Sequence, residues 1–233
     1  MPPRIRTIHL LLAIQSIVIV FASINRLSSL TLGYVSANEF LRWVDFINMI
    51  PLPIISLTAF YLLKKQIEAG QSARWGLTLG IVFILGVYLL GASYGDHEIT
   101  NYLHTRFCSE DETSDLCRIV IFNDDEFSHW LFFIGFVMVN GALLLLQVVF
   151  PHLESLTRRE IALLIVNGLF IGAGIVANLA FEEIGFDLYV VVLLAALALY
   201  LLKRKGAQPL IVYYSTAYSV GLIVTLTIKL VRG

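Results

Sequence analysis

The chain has 233 residues, of which 58% are hydrophobic and only 14% are charged. Because soluble domains contain about 25% charged residues, this composition excludes an ordinary cytosolic enzyme, a nucleic-acid-binding protein and a disordered chain. A mean hydropathy of +0.82 and a net charge of −1 predict instead a polytopic membrane protein.

Seven apolar segments are long enough to cross a bilayer as helices, which takes about 20 residues. They cover residues 8–24, 40–63, 75–94, 127–150, 161–181, 186–202 and 209–230. Their apolar runs are unbroken rather than alternating, which favours helices over the strands of a membrane barrel. We therefore expect an all-α fold, in which residues 1–233 form a single seven-helix transmembrane domain. The first segment follows Arg4 and Arg6 and also resembles a signal peptide, but we expect it to be retained.

Charged residues divide unequally between the two sides of these segments. Ten of the sixteen basic residues fall on the side of the N-terminus, whereas fourteen of the seventeen acidic residues fall on the other side. Short loops rich in lysine and arginine are retained in the cytoplasm. We therefore predict a cytoplasmic N-terminus and an extracytoplasmic C-terminus, in a multi-pass protein of a plasma or inner membrane or of a secretory-pathway membrane.

The longest connection, at about residues 95–126, is predicted on the extracytoplasmic side and contains both cysteines, Cys108 and Cys117. Extracytoplasmic compartments are oxidising, so we expect a disulfide between them; two free thiols are the alternative. Connections of this length are uncommon unless they are functional. We therefore look for functional residues on this side.

Histidines and acids concentrate at one predicted depth around this loop. The candidate metal ligands are His97, Glu98, His104, Glu126 and His129. Imidazole and carboxylate groups suit zinc, iron or manganese, so we expect a divalent metal ion as cofactor. Glu126 and His129 lie three residues apart and share a helix face, as in each half of a di-iron carboxylate bundle. The sequence lacks a second Glu-x-x-His pair, and helix capping by the acids near residue 124 is the alternative interpretation.

Other polar residues are candidates for supporting roles. Asp45, Glu182 and Glu183 are predicted at the same membrane surface, where one of them would act as a catalytic base or orient a metal ligand. Tyr214 and Tyr218 lie one turn apart in the last segment. We expect them to line a cavity or to form interhelical hydrogen bonds.

These features favour a membrane-embedded, metal-dependent enzyme whose site opens at the extracytoplasmic face. Substrates at this depth are lipid-like, so we expect a membrane lipid as partner and a hydrolase or headgroup transferase as the activity. A cation- or proton-coupled transporter with an acidic outer vestibule is the first alternative. A non-catalytic receptor or accessory subunit is the second. The composition excludes nucleic acid as a partner, and the sequence leaves the oligomeric state open.

Overall fold

The computed structural model describes residues 3–71, 73–110, 112–179 and 186–232, and this part of the chain is helical. Its α-helices are α1 (Pro3–Leu27), α2 (Trp43–Met49), α3 (Pro51–Glu68), α4 (Gly76–Leu103), α5 (Asp115–Ile121), α6 (Ser128–Val149), α7 (Arg158–Leu179), α8 (Phe186–Lys205) and α9 (Pro209–Arg232). Two short π-helical segments, His104–Cys108 and Phe122–Phe127, continue α4 and join α5 to α6. The prediction of an all-α fold is confirmed for the described residues.

Six helical stretches are long and apolar enough to cross a membrane: Pro3–Arg26, Trp43–Glu68, Gly76–Cys108, Asp115–Val149, Arg158–Ala177 and Pro209–Val231. They support a multi-pass membrane protein. The remaining predicted span corresponds to α8, a twenty-residue helix that ends in Lys203, Arg204 and Lys205. The count of seven spans and the orientation of the termini stay predictions.

Close helix packing depends on glycines. A Cβ at Gly86 of α4 would lie 2.8 Å from the Cβ of Met138, and one at Gly135 of α6 would lie 2.8 Å from the carbonyl oxygen of Gly86. The backbones of α4 and α6 therefore touch at this crossing. Gly168 of α7 has the same role, because its Cβ would lie 2.8 Å from the carbonyl oxygen of Tyr213 in α9. Small residues allow such contacts between membrane helices, where apolar burial alone provides little drive for association.

Hydrogen bonds between side chains connect α1 to two other helices in the middle of the bundle. The Gln15 amide donates to the backbone carbonyl of Ser56 at 2.8 Å and accepts from the Ser56 hydroxyl at 2.7 Å. The Ser16 hydroxyl donates to the Asn167 side chain at 3.1 Å. These polar groups satisfy one another, which is the usual role of amides and hydroxyls inside a membrane bundle.

The two ends of the bundle differ in chemistry. At one end Arg4 donates to the backbone carbonyls of Gln66 and Ile67. At the other end Cys108 and Cys117 form a disulfide, with a Cα–Cα distance of 5.4 Å, as predicted. We call this second end the disulfide end, and the candidate functional residues lie there.

Candidate functional site

The centre of the site is the carboxylate of Asp124, whose side chain is only 1% exposed. Two histidines, one in α4 and one at the start of the π-helical segment that continues it, converge on this carboxylate. The Nδ1 atom of His104 lies 2.9 Å from Oδ2, and the Nδ1 atom of His97 lies 3.1 Å from Oδ1. The Asn101 side chain also donates to Oδ2, at 3.4 Å. Imidazole, amide and carboxylate groups therefore meet at one point between α4 and the start of α6.

Two residues of this site lie in π-helical segments, whereas His97 and Asn101 belong to α4. Asp124 lies in the segment Phe122–Phe127, and His104 begins the segment His104–Cys108. A π-helix has more residues per turn than an α-helix, so it rotates the side chains around it, and such segments are frequent at functional sites. The Cys108–Cys117 disulfide links the end of one segment to the helix that precedes the other. It therefore holds the two halves of the site together.

Asp125 completes a group that could bind a metal ion. His104, Asp124 and Asp125 each offer one potential ligand atom, and these three atoms lie within 4.8 Å of one another. In the described part of the chain this is the one group of three such residues. Two atoms that bind one ion at about 2.1 Å lie about 3.0–3.4 Å apart. The contact between His104 and Asp124, at 2.9 Å, is close to this length. Asp125 is exposed, so its side chain can rotate into place.

His129 lies beside this group, as the second residue of α6. Its ring centroid is 5.2 Å from that of His97, and the ring is half-buried. His129 thus extends the line of imidazoles from the carboxylate of Asp124 towards the membrane.

Two other buried acids at the disulfide end, Glu98 and Asp45, are neutralised by arginines. Glu98, 4% exposed at its side chain, pairs with Arg26 at 2.5 Å. Asp45 accepts two hydrogen bonds from Arg42, at 2.7 and 2.9 Å. The hydrogen bond to Asp45 raises the pKa of the Arg42 guanidinium above its ordinary value, despite the opposing effect of burial. The carboxylate of Asp124 differs from these two because its charged-group contacts are with imidazoles.

The loop between α1 and α2 closes one side of this end. The Tyr102 hydroxyl donates to the backbone carbonyl of Glu39 at 2.5 Å, and Arg106 donates to the same carbonyl. The guanidinium of Arg42 lies over the Tyr102 ring, 5.1 Å from its centroid. A cation above an aromatic ring is stabilised by the negative face of the ring. These contacts hold the loop against α4.

The structure brings together three of the five predicted metal ligands. His97 and His104 contact Asp124, and His129 lies next to His97. Glu98 is paired with an arginine, and Glu126 is exposed.

Of the three predicted bases, Asp45 is occupied by Arg42, whereas Glu182 and Glu183 lie outside the described residues. Tyr214 and Tyr218 are buried in the core with their rings stacked at 5.5 Å. Their hydroxyls have no hydrogen-bond partner among the described residues.

Two residues of the site were not among the predicted ligands. Asp124 and Asp125 sit where acids commonly cap a helix, and capping was the alternative interpretation of the acids at this position. The sequence did contain a pattern that indicates Asp125 as a ligand, because Asp125 and His129 are four residues apart and could share a helix face.

No known protein family, no curated protein and no solved structure matches this chain. The function is therefore inferred from the geometry of the disulfide end alone.

Proposed function

We propose that this protein is a metal-dependent membrane enzyme that acts on a lipid-like substrate at the disulfide end, which the charge bias puts on the extracytoplasmic side. One observation carries the proposal: two imidazoles converge on a single buried carboxylate, with a second carboxylate beside it. Divalent zinc, iron and manganese bind to such mixed sets of nitrogen and oxygen ligands. His104, Asp124 and Asp125 are the ligands that we propose.

A metal ion at this position supports hydrolysis or transfer of a headgroup. It would lower the pKa of a bound water towards neutrality and polarise an acyl or phosphoryl oxygen. Asp124 is buried and held by Asn101, which fixes its direction, whereas Asp125 is exposed and lies on the accessible side. A site with one closed and one open side can admit a substrate without losing its ligands.

An apolar groove supports the lipid-like substrate. It has a volume of about 300 Å³ and lies between α6 and α8, where Phe133, Val137 and Leu193 contribute to its lining. The ring of Phe133 is 6.3 Å from that of His129, so the groove begins next to the polar site. It lies on helices that we assign to the membrane. A hydrocarbon chain in this groove would bring its headgroup to the imidazoles.

The test compares metal content and lipid turnover in the same preparations. Wild-type protein, His104→Ala and the control His152→Ala, which changes a histidine near the opposite end, are purified in detergent without chelator. Metal is measured by elemental analysis. Each protein is then reconstituted in vesicles of a polar lipid extract, and the lipids are followed by mass spectrometry. We expect bound metal and loss of one lipid class with wild type and with His152→Ala, and neither with His104→Ala.

Two results would contradict the proposal. If purified wild-type protein contained no zinc, iron or manganese, the proposed metal site would be wrong. If the protein bound metal but turned over no lipid in any vesicle, the proposed enzymatic function would be wrong. In that second case a cation flux assay on the same vesicles tests the transporter alternative directly, because an acidic vestibule concentrates cations.

A further inference from the structure

We propose that the end of the bundle opposite the disulfide end binds the anionic headgroups of membrane phospholipids. We call it the basic end, because eight basic side chains are exposed there. Such binding does not depend on the proposed metal site, which lies at the disulfide end. The eight residues are Arg6, Lys65, Arg74, Arg158, Arg159, Lys203, Arg204 and Lys205.

Contacts between helices bring these residues to the same end. Arg4, in the first turn of α1, donates to backbone carbonyls near the end of α3. A Cβ at Gly76, the first residue of α4, would lie 3.3 Å from the ring of Phe150, which directly follows α6. The backbone amide of Leu210, in the first turn of α9, donates to Gln147 in the last turn of α6. The first turn of α7 and the last turn of α8 join these segments through short connections, so all eight basic residues lie at this end.

Acids do not neutralise this positive charge. None of the eight basic side chains forms an ion pair with an acid in the described part of the chain. Glu68 pairs with Lys64 at 2.5 Å. Glu160 is buried and accepts from the backbone amide of Thr157 at 2.8 Å. Among the described acids of the basic end, Glu154 is the one that is exposed. Five of the eight basic residues are arginines, whose planar guanidinium binds two phosphate oxygens at once.

Three of the basic side chains lie over aromatic rings, and all three rings are exposed. Tryptophan and tyrosine are enriched where a membrane meets water, and long basic side chains beside them extend to the headgroups. The pairs therefore mark the depth of the headgroups at the ends of α3, α4 and α8. The distances from cation to ring centroid are 6.0 Å for Lys65 over Tyr61, 5.5 Å for Arg74 over Trp75 and 5.8 Å for Arg204 over Tyr200.

The position of this charge favours a lipid over a soluble partner. All six long apolar helical stretches have one end at the basic end, so the basic residues flank helices that we assign to the membrane. Basic residues in such positions attract anionic lipids. The disulfide end should repel the same headgroups, because several of its acids are exposed. These acids are Glu110, Glu112, Asp115, Asp125 and Glu126.

The test uses tryptophans at the two ends as reporters. Trp75 lies at the basic end, whereas Trp43 and Trp130 lie at the disulfide end, and all three are exposed. One variant keeps Trp75 alone and a matched variant keeps Trp130 alone, with phenylalanine at the other two positions. Each is reconstituted at low salt into vesicles of equal amounts of phosphatidylglycerol and phosphatidylcholine, with brominated chains on one lipid or the other. Bromine quenches the fluorescence of a nearby tryptophan, so the quenching reports which lipid surrounds each ring.

We expect brominated phosphatidylglycerol to quench Trp75 at least about 2-fold more than brominated phosphatidylcholine does. Trp130 should show no such excess. High salt should reduce the excess at Trp75, because salt screens exposed charges. The double substitution Lys65→Gln with Arg74→Gln should also reduce it, whereas the control Arg118→Gln, which removes an exposed arginine at the disulfide end, should not. Helix content and elution volume of each variant are checked against the parent before reconstitution.

Three results would overturn the proposal. Equal quenching of Trp75 by the two lipids would leave an acidic protein as the partner of the basic end. An excess of the same size at Trp130 would show that anionic lipid is not concentrated at the basic end. An excess that survives both high salt and the double substitution would show that the basic side chains do not bind the lipid. The metal content of the protein is measured separately, so the proposed function stands or falls independently of these results.

Discussion

The contact between α4 and α6 provides the sharpest structural prediction, because these helices carry the two halves of the site. Gly135 of α6 faces α4, and a Cβ there would lie 2.8 Å from the carbonyl oxygen of Gly86 and 2.9 Å from the backbone nitrogen of Leu90. Both atoms belong to the backbone and cannot rotate away. Gly135→Ala therefore forces the two helices apart.

The size of the displacement follows from these distances. Ordinary contacts begin at 3.4 Å, so α4 and α6 must separate by about 0.6 Å at Gly135. Overpacking of this kind costs about 1–3 kcal/mol. A metal site tolerates changes in ligand distance of only about 0.2 Å. His97 belongs to α4, and Asp124 belongs to the segment that leads into α6. Separation of the two helices therefore moves these residues apart, and metal affinity should fall together with stability.

The assay uses a matched variant on the same helix. Gly141 also lies in α6, and a Cβ there would meet nothing within 4 Å. Both substitutions raise helix propensity by up to about 1 kcal/mol, so their difference isolates the helix contact. We expect Gly135→Ala to unfold at a lower temperature in detergent than Gly141→Ala and to bind Zn²⁺ more weakly. Equal unfolding temperatures and equal affinities in the two variants would refute this account of the contact.

Three other substitutions test separate parts of the structure. Cys108→Ser removes the disulfide, whose cysteines are 9 residues apart, and should destabilise the protein by about 2.6 kcal/mol and expose the loop to protease. Glu160→Ala removes the acceptor that caps α7 at Thr157, and should cost about 0.5–2 kcal/mol in thermal unfolding with unchanged metal content. Asp45→Asn leaves Arg42 without its carboxylate, and should cost up to about 3 kcal/mol while metal content, measured by elemental analysis, stays at the wild-type level.

Much of the architecture could be predicted because it depends on local hydrophobicity. Long apolar runs specify membrane helices whatever their partners, and both cysteines fall in one loop, so the helical class and the disulfide followed from the sequence. α8 shows where this local argument weakens. It is shorter than most of the other spans, and its last turn carries three basic residues.

The ligand set could be predicted only in part, because the spacing rules assume α-helices. Glu126 was paired with His129 on the basis of a three-residue spacing, but Glu126 belongs to a π-helical segment. The different turn size leaves Glu126 exposed and directs Asp124 inwards. Periodicity of apolar residues carries no signal for a π-helix, so this rotation could not be anticipated.

Glu98 was predicted wrongly as a metal ligand for a different reason, which is an ion pair between residues far apart in the chain. Glu98 lies next to His97 in the sequence and was predicted as a ligand with it. In the structure its carboxylate pairs with Arg26, which is 72 residues away in the chain. Adjacent residues on a helix point in different directions, so the neighbours of His97 and Glu98 differ. Which acid receives an arginine depends on how α1 packs against α4, and no local pattern encodes this.

The most direct test of the central claim is a calorimetric titration of the metal-free protein with Zn²⁺. Wild type and His152→Ala are compared with Asp124→Asn, which keeps the size of the side chain but removes its charge. If Asp124 is a metal ligand, wild type and His152→Ala should bind Zn²⁺ saturably, and the affinity of Asp124→Asn for Zn²⁺ should be at least about 100-fold lower. Equal affinity in all three proteins, or no saturable binding in wild type, would contradict the central claim.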